Sequence, residues 1–339
     1  MGEIDGQLEA GSLRATETCI ENKFKVKQFA VRRLSDAQHE IAVAVPYRLD
    51  LTVSVLRRLS TNIVDIFTAE GQYVRALTGG REPVIARVVQ QRPDALAVTF
   101  EGREGVRPDH APALATVRRI LGVDRVLSHF NRGAREIPWL RPLAARMRGV
   151  KPPQYPTLWE ACVNAVVFQQ MSLIAASAIS RRLIIALGAP TNWGKVMLHA
   201  FPTAESFQGA SDDVLRAAGL SAHKVATLRR IAEELRSGML DDAALQALSS
   251  PDAVALLCRI KGIGPWTATV ILLRGLGRLD VFPMNDSGVA RNLVFLAGSI
   301  PINLDKILAT LGAQKGMLYY HLLLSRLDAN GDIGRASSI

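Results

Sequence analysis

The stretch from Leu257 to Arg291, LCRIKGIGPWTATVILLRGLGRLDVFPMNDSGVAR, constrains the fold more than any other part of the chain. Apolar residues at helical spacing run into a Gly262-Ile263-Gly264 turn, and Pro265 then opens a second apolar helix. Glycine permits backbone paths closed to other residues, so the turn is predicted to be sharp. The first N–H groups of the helix from Pro265 have no partner within that helix and suit a phosphate oxygen. Further on, Asp286 follows Pro283 just where a new helix, Ser287 to Leu296, is predicted to begin. A phosphate grip and a carboxylate on one short unit point to chemistry on a nucleic acid.

The rest of the chain divides around this unit. Residues 1–38 mix charges without sustained periodicity and are expected to form a poorly ordered arm, with a short helix near Arg32 to His39. Short β-favouring runs follow at Ile63–Phe67, Tyr73–Leu77, Pro83–Val89 and Ala95–Phe100. Gly71, Gly79-Gly80 and Arg92-Pro93-Asp94 separate them as turns, and Leu51 to Leu59 is predicted to be a helix packed on that sheet. This defines a small α+β domain over 39–111. After Arg107-Pro108-Asp109 the strands stop, and helical spacing recurs at 112–121, 140–147, 159–187, 212–219, 223–238, 241–248, 252–259 and 315–327. The expected fold is therefore mainly α, with an N-terminal antiparallel sheet domain and an all-helical region over 112–339.

Composition narrows the function classes. The 339 residues carry a formal net charge of +10, which favours a polyanionic partner. Cys19, Cys162 and Cys258 are odd in number and widely spaced, which fits neither a disulfide framework nor a zinc site. The six histidines show no metal-ligand spacing, so no metal or other cofactor is implied. No run of eighteen apolar residues occurs and the first ten residues are acidic. The expectation is a monomer without membrane attachment, located in the cytoplasm, or with the nucleoid if the source is bacterial.

The string Ile260 to Ala268, with Asp280-Val281-Phe282-Pro283 and Asp286, resembles the helix-hairpin-helix (HhH-GPD) DNA glycosylase superfamily, in which a hairpin and a Gly/Pro-rich loop lead to a catalytic aspartate. The segments 201–228 and Trp159 to Ser172, the latter ending in Gln169-Gln170-Met171-Ser172, match helices of the same superfamily. Tyr47 to Phe100 is similar to the sheet domain of the bacterial 3-methyladenine DNA glycosylase II type. The resemblance spans roughly Pro46 to Arg326 and implies a helix-hairpin-helix glycosylase architecture. The implied activity is hydrolysis of the N-glycosidic bond of an alkylated base flipped out of double-stranded DNA.

The same resemblance assigns roles. Asp286 is the catalytic carboxylate that stabilises positive charge on the sugar. Trp266, Val270, Tyr319 and Tyr320 fall to the base pocket. Lys261, Gly262, Ile263, Gly264, Pro265, Thr267 and Lys224 fall to the DNA backbone, and Gln169, Gln170 or Met171 to the wedge that fills the gap left by flipping. Bifunctional members place a lysine two residues after the second hairpin glycine. Trp266 stands there and forms no Schiff base, so a monofunctional enzyme without lyase activity is expected. No cysteine follows Cys258, which excludes the superfamily's iron–sulfur cluster. Asn285 replaces a second carboxylate, while Val55, Val270 and Ser325-Arg326 stand where pocket aromatics are expected. Two alternatives stay open at this point: a glycosylase for a deaminated or oxidised base, and a catalytically inactive DNA-binding protein.

Overall fold

The computed structural model describes residues 30–35, 37–78, 83–102 and 110–338. Most of the expected N-terminal arm, the Gly79-Gly80 turn and the Arg107-Pro108-Asp109 boundary lie outside the described residues. A six-stranded antiparallel sheet is built from β1 (Val31–Arg33), β2 (Gln38–Ala42), β3 (Ile66–Phe67), β4 (Gln72–Leu77), β5 (Val84–Arg92) and β6 (Ala95–Glu101), in the order β1-β2-β6-β5-β4-β3. The short helix expected near Arg32 to His39 is instead the β1–β2 hairpin, with Arg32 opposite Glu40 and Arg33 opposite His39. Its charged residues hide a period of two: His39 and Ile41 point inward while Gln38 and Glu40 are half exposed, and β2 finds its partner in β6.

Both faces of the sheet are covered. Tyr73 and Leu77 on β4 join a core with α1 (Leu49–Arg57) and α2 (His110–Leu121), whereas Val74 and Ala76 face the opposite side. That second side packs on Leu198 and Ala200 of a hairpin, β7 (Pro190–Trp193) and β8 (Val196–His199). The region 112–339 is thus not all helical. Gly194, with φ of +58°, lets the chain turn in two residues between Trp193 and Val196, and the apolar edge of the hairpin is buried by the sheet.

The remaining helices are α3 (Ser128–Glu136), α4 (Leu140–Arg146), α5 (Leu158–Val167), α6 (Leu173–Leu187), α7 (Ala204–Gly209), α8 (Asp212–Ala217), α9 (Ala222–Arg236), α10 (Asp242–Ala247), α11 (Ser250–Cys258), α12 (Pro265–Gly275), α13 (Ser287–Ala297), α14 (Leu304–Leu311) and α15 (Met317–Ala329). Local chemistry starts many of them: Thr157, Ser172, Ser221 and Asp286 each cap a helix by accepting a hydrogen bond from its first turn. One apolar core runs from α3 to α15 and takes in Leu51 and Val55 of α1.

Two polar devices join the sheet to the helices. At the first, the buried guanidinium of Arg75 on β4 donates to Asp65 at 2.6 Å and to Glu160 of α5 at 2.5 Å, while Tyr73 donates to Asp65 at 2.8 Å. Burial raises the Glu160 carboxyl above its ordinary range, and the neighbouring Arg75 pulls it back. At the second, the segment after α15 returns to the sheet. Arg57 donates to Ser337 Oγ and to the carbonyls of Asp332 and Arg335, and the Ser337 N–H bonds to Phe67 O at 2.7 Å.

Candidate active site at the hairpin turn

The predicted helix–turn–helix is α11, residues 259–264 and α12. The two glycines do different work. Gly262 has φ of +105°, and an added Cβ would lie 2.0 Å from Thr227 Oγ1, so both conformation and the packing of α9 demand glycine there. Gly264 has φ of −99°, which any residue adopts, and nothing in the protein lies within 4 Å of the place its Cβ would occupy. Its missing side chain leaves open space over the start of α12. No side chain caps that helix, so its first-turn N–H groups face this space. Pro265 and Lys261 are exposed beside it.

Several residues expected on the DNA-facing surface turn inward. Ile263 is buried in the core and its N–H closes the turn on Ile260 O at 2.9 Å. The Thr267 hydroxyl is buried and accepts from Gln169 Nε2 at 2.7 Å, and the same amide donates to Gly262 O at 2.9 Å. Gln169 is therefore a tie between the end of α5 and the hairpin, and it does not project as a wedge. The Lys224 ammonium donates to Val167 O at 2.8 Å and Gln169 O at 3.0 Å, where it caps the carbonyl end of α5, and partial burial lowers its pKa. Of the three wedge candidates, Gln170 and Met171 remain exposed. Gln170 sits in the left-handed region at φ +54°, an uncommon conformation for a side-chain-bearing residue.

The loop after α12 brings Asp286 back to the hairpin. Asn285, at φ +62°, turns the chain so that Asp286 becomes the N-cap of α13. Asp286 Oδ1 accepts from the N–H groups of Gly288 at 2.8 Å and Val289 at 3.0 Å, and Oδ2 accepts from Trp266 Nε1 at 3.0 Å. The carboxylate is half-buried, at the positive end of a helix dipole. Trp266, two residues into α12, packs its partly buried ring on the core. The hairpin and the carboxylate are thus one connected unit.

The expected base pocket is only partly realised. Val270, one turn beyond Trp266, is 4% exposed and belongs to the core. Tyr320 is fully buried, donates its hydroxyl to Leu273 O at 3.1 Å, and has its pKa raised by burial. Tyr319 is half exposed and meets Tyr320 edge-on at 5.7 Å. Sequence reasoning missed the Asn285 turn, the Thr227 contact that fixes Gly262, and the indole bond to Asp286. A signal for the last did exist, because a half-buried indole N–H requires an acceptor.

With this geometry in view, residues 163–310 match the model of the HhH-GPD superfamily base excision DNA repair proteins. Among individual relatives, a DNA-3-methyladenine glycosylase of Bacillus subtilis is 29% identical over 51% of this chain and 57% of its own length. DNA-3-methyladenine glycosylase 1 of Schizosaccharomyces pombe is 33% identical over 41% of this chain and 57% of its own. The chain therefore spans little more than half the length of these curated relatives. The fold is shared with a 3-methyladenine DNA glycosylase from Archaeoglobus fulgidus, at a TM-score of 0.70, 24% identity, and coverage of 84% of this chain and 97% of that one. Among the described residues no helix is long and apolar enough to cross a membrane.

Proposed function

We propose that this protein is a monofunctional DNA glycosylase that hydrolyses the N-glycosidic bond of alkylated, 3-methyladenine-type bases in double-stranded DNA. The observation that carries the reading is the Asp286 carboxylate, held by three N–H donors and joined through Trp266 to a helix start that no side chain caps. A duplex phosphate accepts from the free N–H groups at Gly264, Trp266 and Thr267, and fixes the strand relative to Asp286. The damaged base swings out, and Gln170 or Met171, exposed at the end of α5, takes the space it leaves. As the C1′–N bond breaks, its electron pair leaves with the base and positive charge grows on the sugar. Asp286 opposes that charge and orients a water, whose oxygen bonds to C1′ and whose proton passes to the carboxylate. The relatives carrying 3-methyladenine in their names support the alkylated-base assignment.

A second reading within the same chemistry, a glycosylase for a different lesion, is favoured by one observation. With Val270 and Tyr320 in the core, Trp266 and Tyr319 are the expected pocket aromatics that keep partial exposure, which leaves fewer rings for a cationic purine. Release from methylated duplex, with products separated by chromatography, distinguishes the two. Asp286→Asn tests the chemistry itself: the rate falls by about a thousandfold or more, while duplex binding and folding persist, because asparagine also caps a helix. Base release at the parental rate in that variant removes Asp286 from the mechanism. No covalent protein–DNA adduct forms under borohydride, since position 266 offers no amine; an adduct that survived replacement of Lys261 would reveal another nucleophile.

A further inference from the structure

The hydrogen bonds around Asp286 assign different jobs to its two oxygens. Oδ1 accepts two amide N–H groups, at 2.8 and 3.0 Å, which saturate its two lone-pair directions. Oδ2 accepts one donor, Trp266 Nε1 at 3.0 Å, and keeps one lone-pair direction open. We infer that Trp266 is a positioning residue which, through its indole N–H, aims the remaining lone pair of Asp286 Oδ2 at the reacting sugar and its water, rather than chiefly a stacking surface for the base. This rests on the glycosylase reading of the same site.

Three features make the bond a fixed one. The tryptophan sits in the first turn of α12, whose start is locked by the positive-φ Gly262 wedged against Thr227. Its ring rests on the core, one turn before the buried Val270, so the indole has little freedom to swing. Asp286, for its part, is delivered by the left-handed Asn285 and pinned from the other side by α13. The carboxylate is consequently clamped between the helix that meets the phosphate and the helix it caps. Registration of the strand on the hairpin becomes registration of the sugar over Oδ2. Small errors in such alignment are costly in rate, because productive geometry is narrow.

Trp266→Phe removes the donor and keeps an aromatic ring, whereas Trp266→Leu removes both. The readouts are single-turnover release from methylated duplex and equilibrium binding to a duplex whose damaged nucleotide is uncleavable. Loss of a hydrogen bond to a charged group predicts a fall of about ten- to a hundredfold in the release rate of Trp266→Phe. Binding of the uncleavable duplex should stay within about twofold, because phosphate contacts set affinity. Trp266→Phe that releases base at the parental rate, with only Trp266→Leu impaired, makes the ring a stacking surface and overturns the inference. So does a loss of binding in Trp266→Phe that matches its loss of rate. Asp286→Asn, measured alongside, separates the two levels: if it retains release, the glycosylase mechanism at this site fails, whatever Trp266 does.

Discussion

The seam between sheet and helices and the turn at Gly264 treat charge in opposite ways. At the seam, Arg75 and Tyr73 turn their donors on the buried carboxylates of Asp65 and Glu160, so the charges balance inside the protein although the buried Arg75 Nε finds no acceptor. At the turn, a helix start is left uncapped over empty space, and Asp286 keeps one lone-pair direction unused. Both regions are built from charged or polar groups held rigidly, and the difference lies in whether the opposing charge comes from within the chain. Partners found within the chain make a joint, and partners left missing make a place for something else. Polarity alone identifies neither.

The comparison can be broken first at the seam. Arg75→Ala leaves two carboxylates buried without their cation and is expected to lower stability by about 3–5 kcal/mol. Denaturant unfolding measures this, and a loss under about 1 kcal/mol would mean water reaches the joint. The folded fraction should still bind duplex through the hairpin.

Next in size is a pH effect from the interior. His321 is buried with its Nδ1 at 2.9 Å from Met317 O and its ring on Phe130, and burial lowers its pKa to about 4. The unfolded chain has the higher pKa, near 6.5, so below that pH it takes up a proton the folded chain refuses. Stability is therefore full above about 6.5 and falls as pH drops toward 4, by about 3 kcal/mol from this group. His321→Phe should flatten that part of the pH profile. An unchanged slope would assign it to other groups.

The glycines give the smallest and sharpest test. Gly262→Ala forces a side chain onto Thr227 at a positive φ and should destabilise by about 1–3 kcal/mol. Gly264→Ala should change stability by less than about 0.5 kcal/mol, as an open position predicts. Gly264→Asp should likewise fold normally, yet bind damaged and undamaged duplex alike less well, because its charge opposes the phosphate. Normal duplex binding by that variant would reduce the turn to a helix connector.

The hairpin, the two helices it joins and the cap at Asp286 were legible because glycine, proline and a capping acid report local backbone needs. The central strands of the sheet were legible too, from runs such as Tyr73 to Leu77 between turn residues. What escaped depended on distant partners. Lys224 and Thr267 look like surface groups in the first turns of α9 and α12, and only the approach of the end of α5 gives Lys224 its carbonyl acceptors and Thr267 the donating amide of Gln169. The β1–β2 hairpin was misread because its alternation is carried by charged residues, and β7–β8 because its apolar edge has meaning only against the far face of the sheet. Val270 and Tyr320 fell to the core for the same reason, since burial is a property of the packed whole.

The return of the last residues to the sheet has a consequence for the order of events during synthesis. Arg57 lies in the first helix of the sheet domain, but its guanidinium is satisfied by Ser337 and by the carbonyls of Asp332 and Arg335. A ribosome that has delivered the whole sheet has therefore not yet delivered the acceptors that helix requires, and roughly 280 residues separate the two sides of the contact. A helix that emerges well before the helical region is therefore completed only when residues 332–337 have been made, so this part of the sheet domain is finished late.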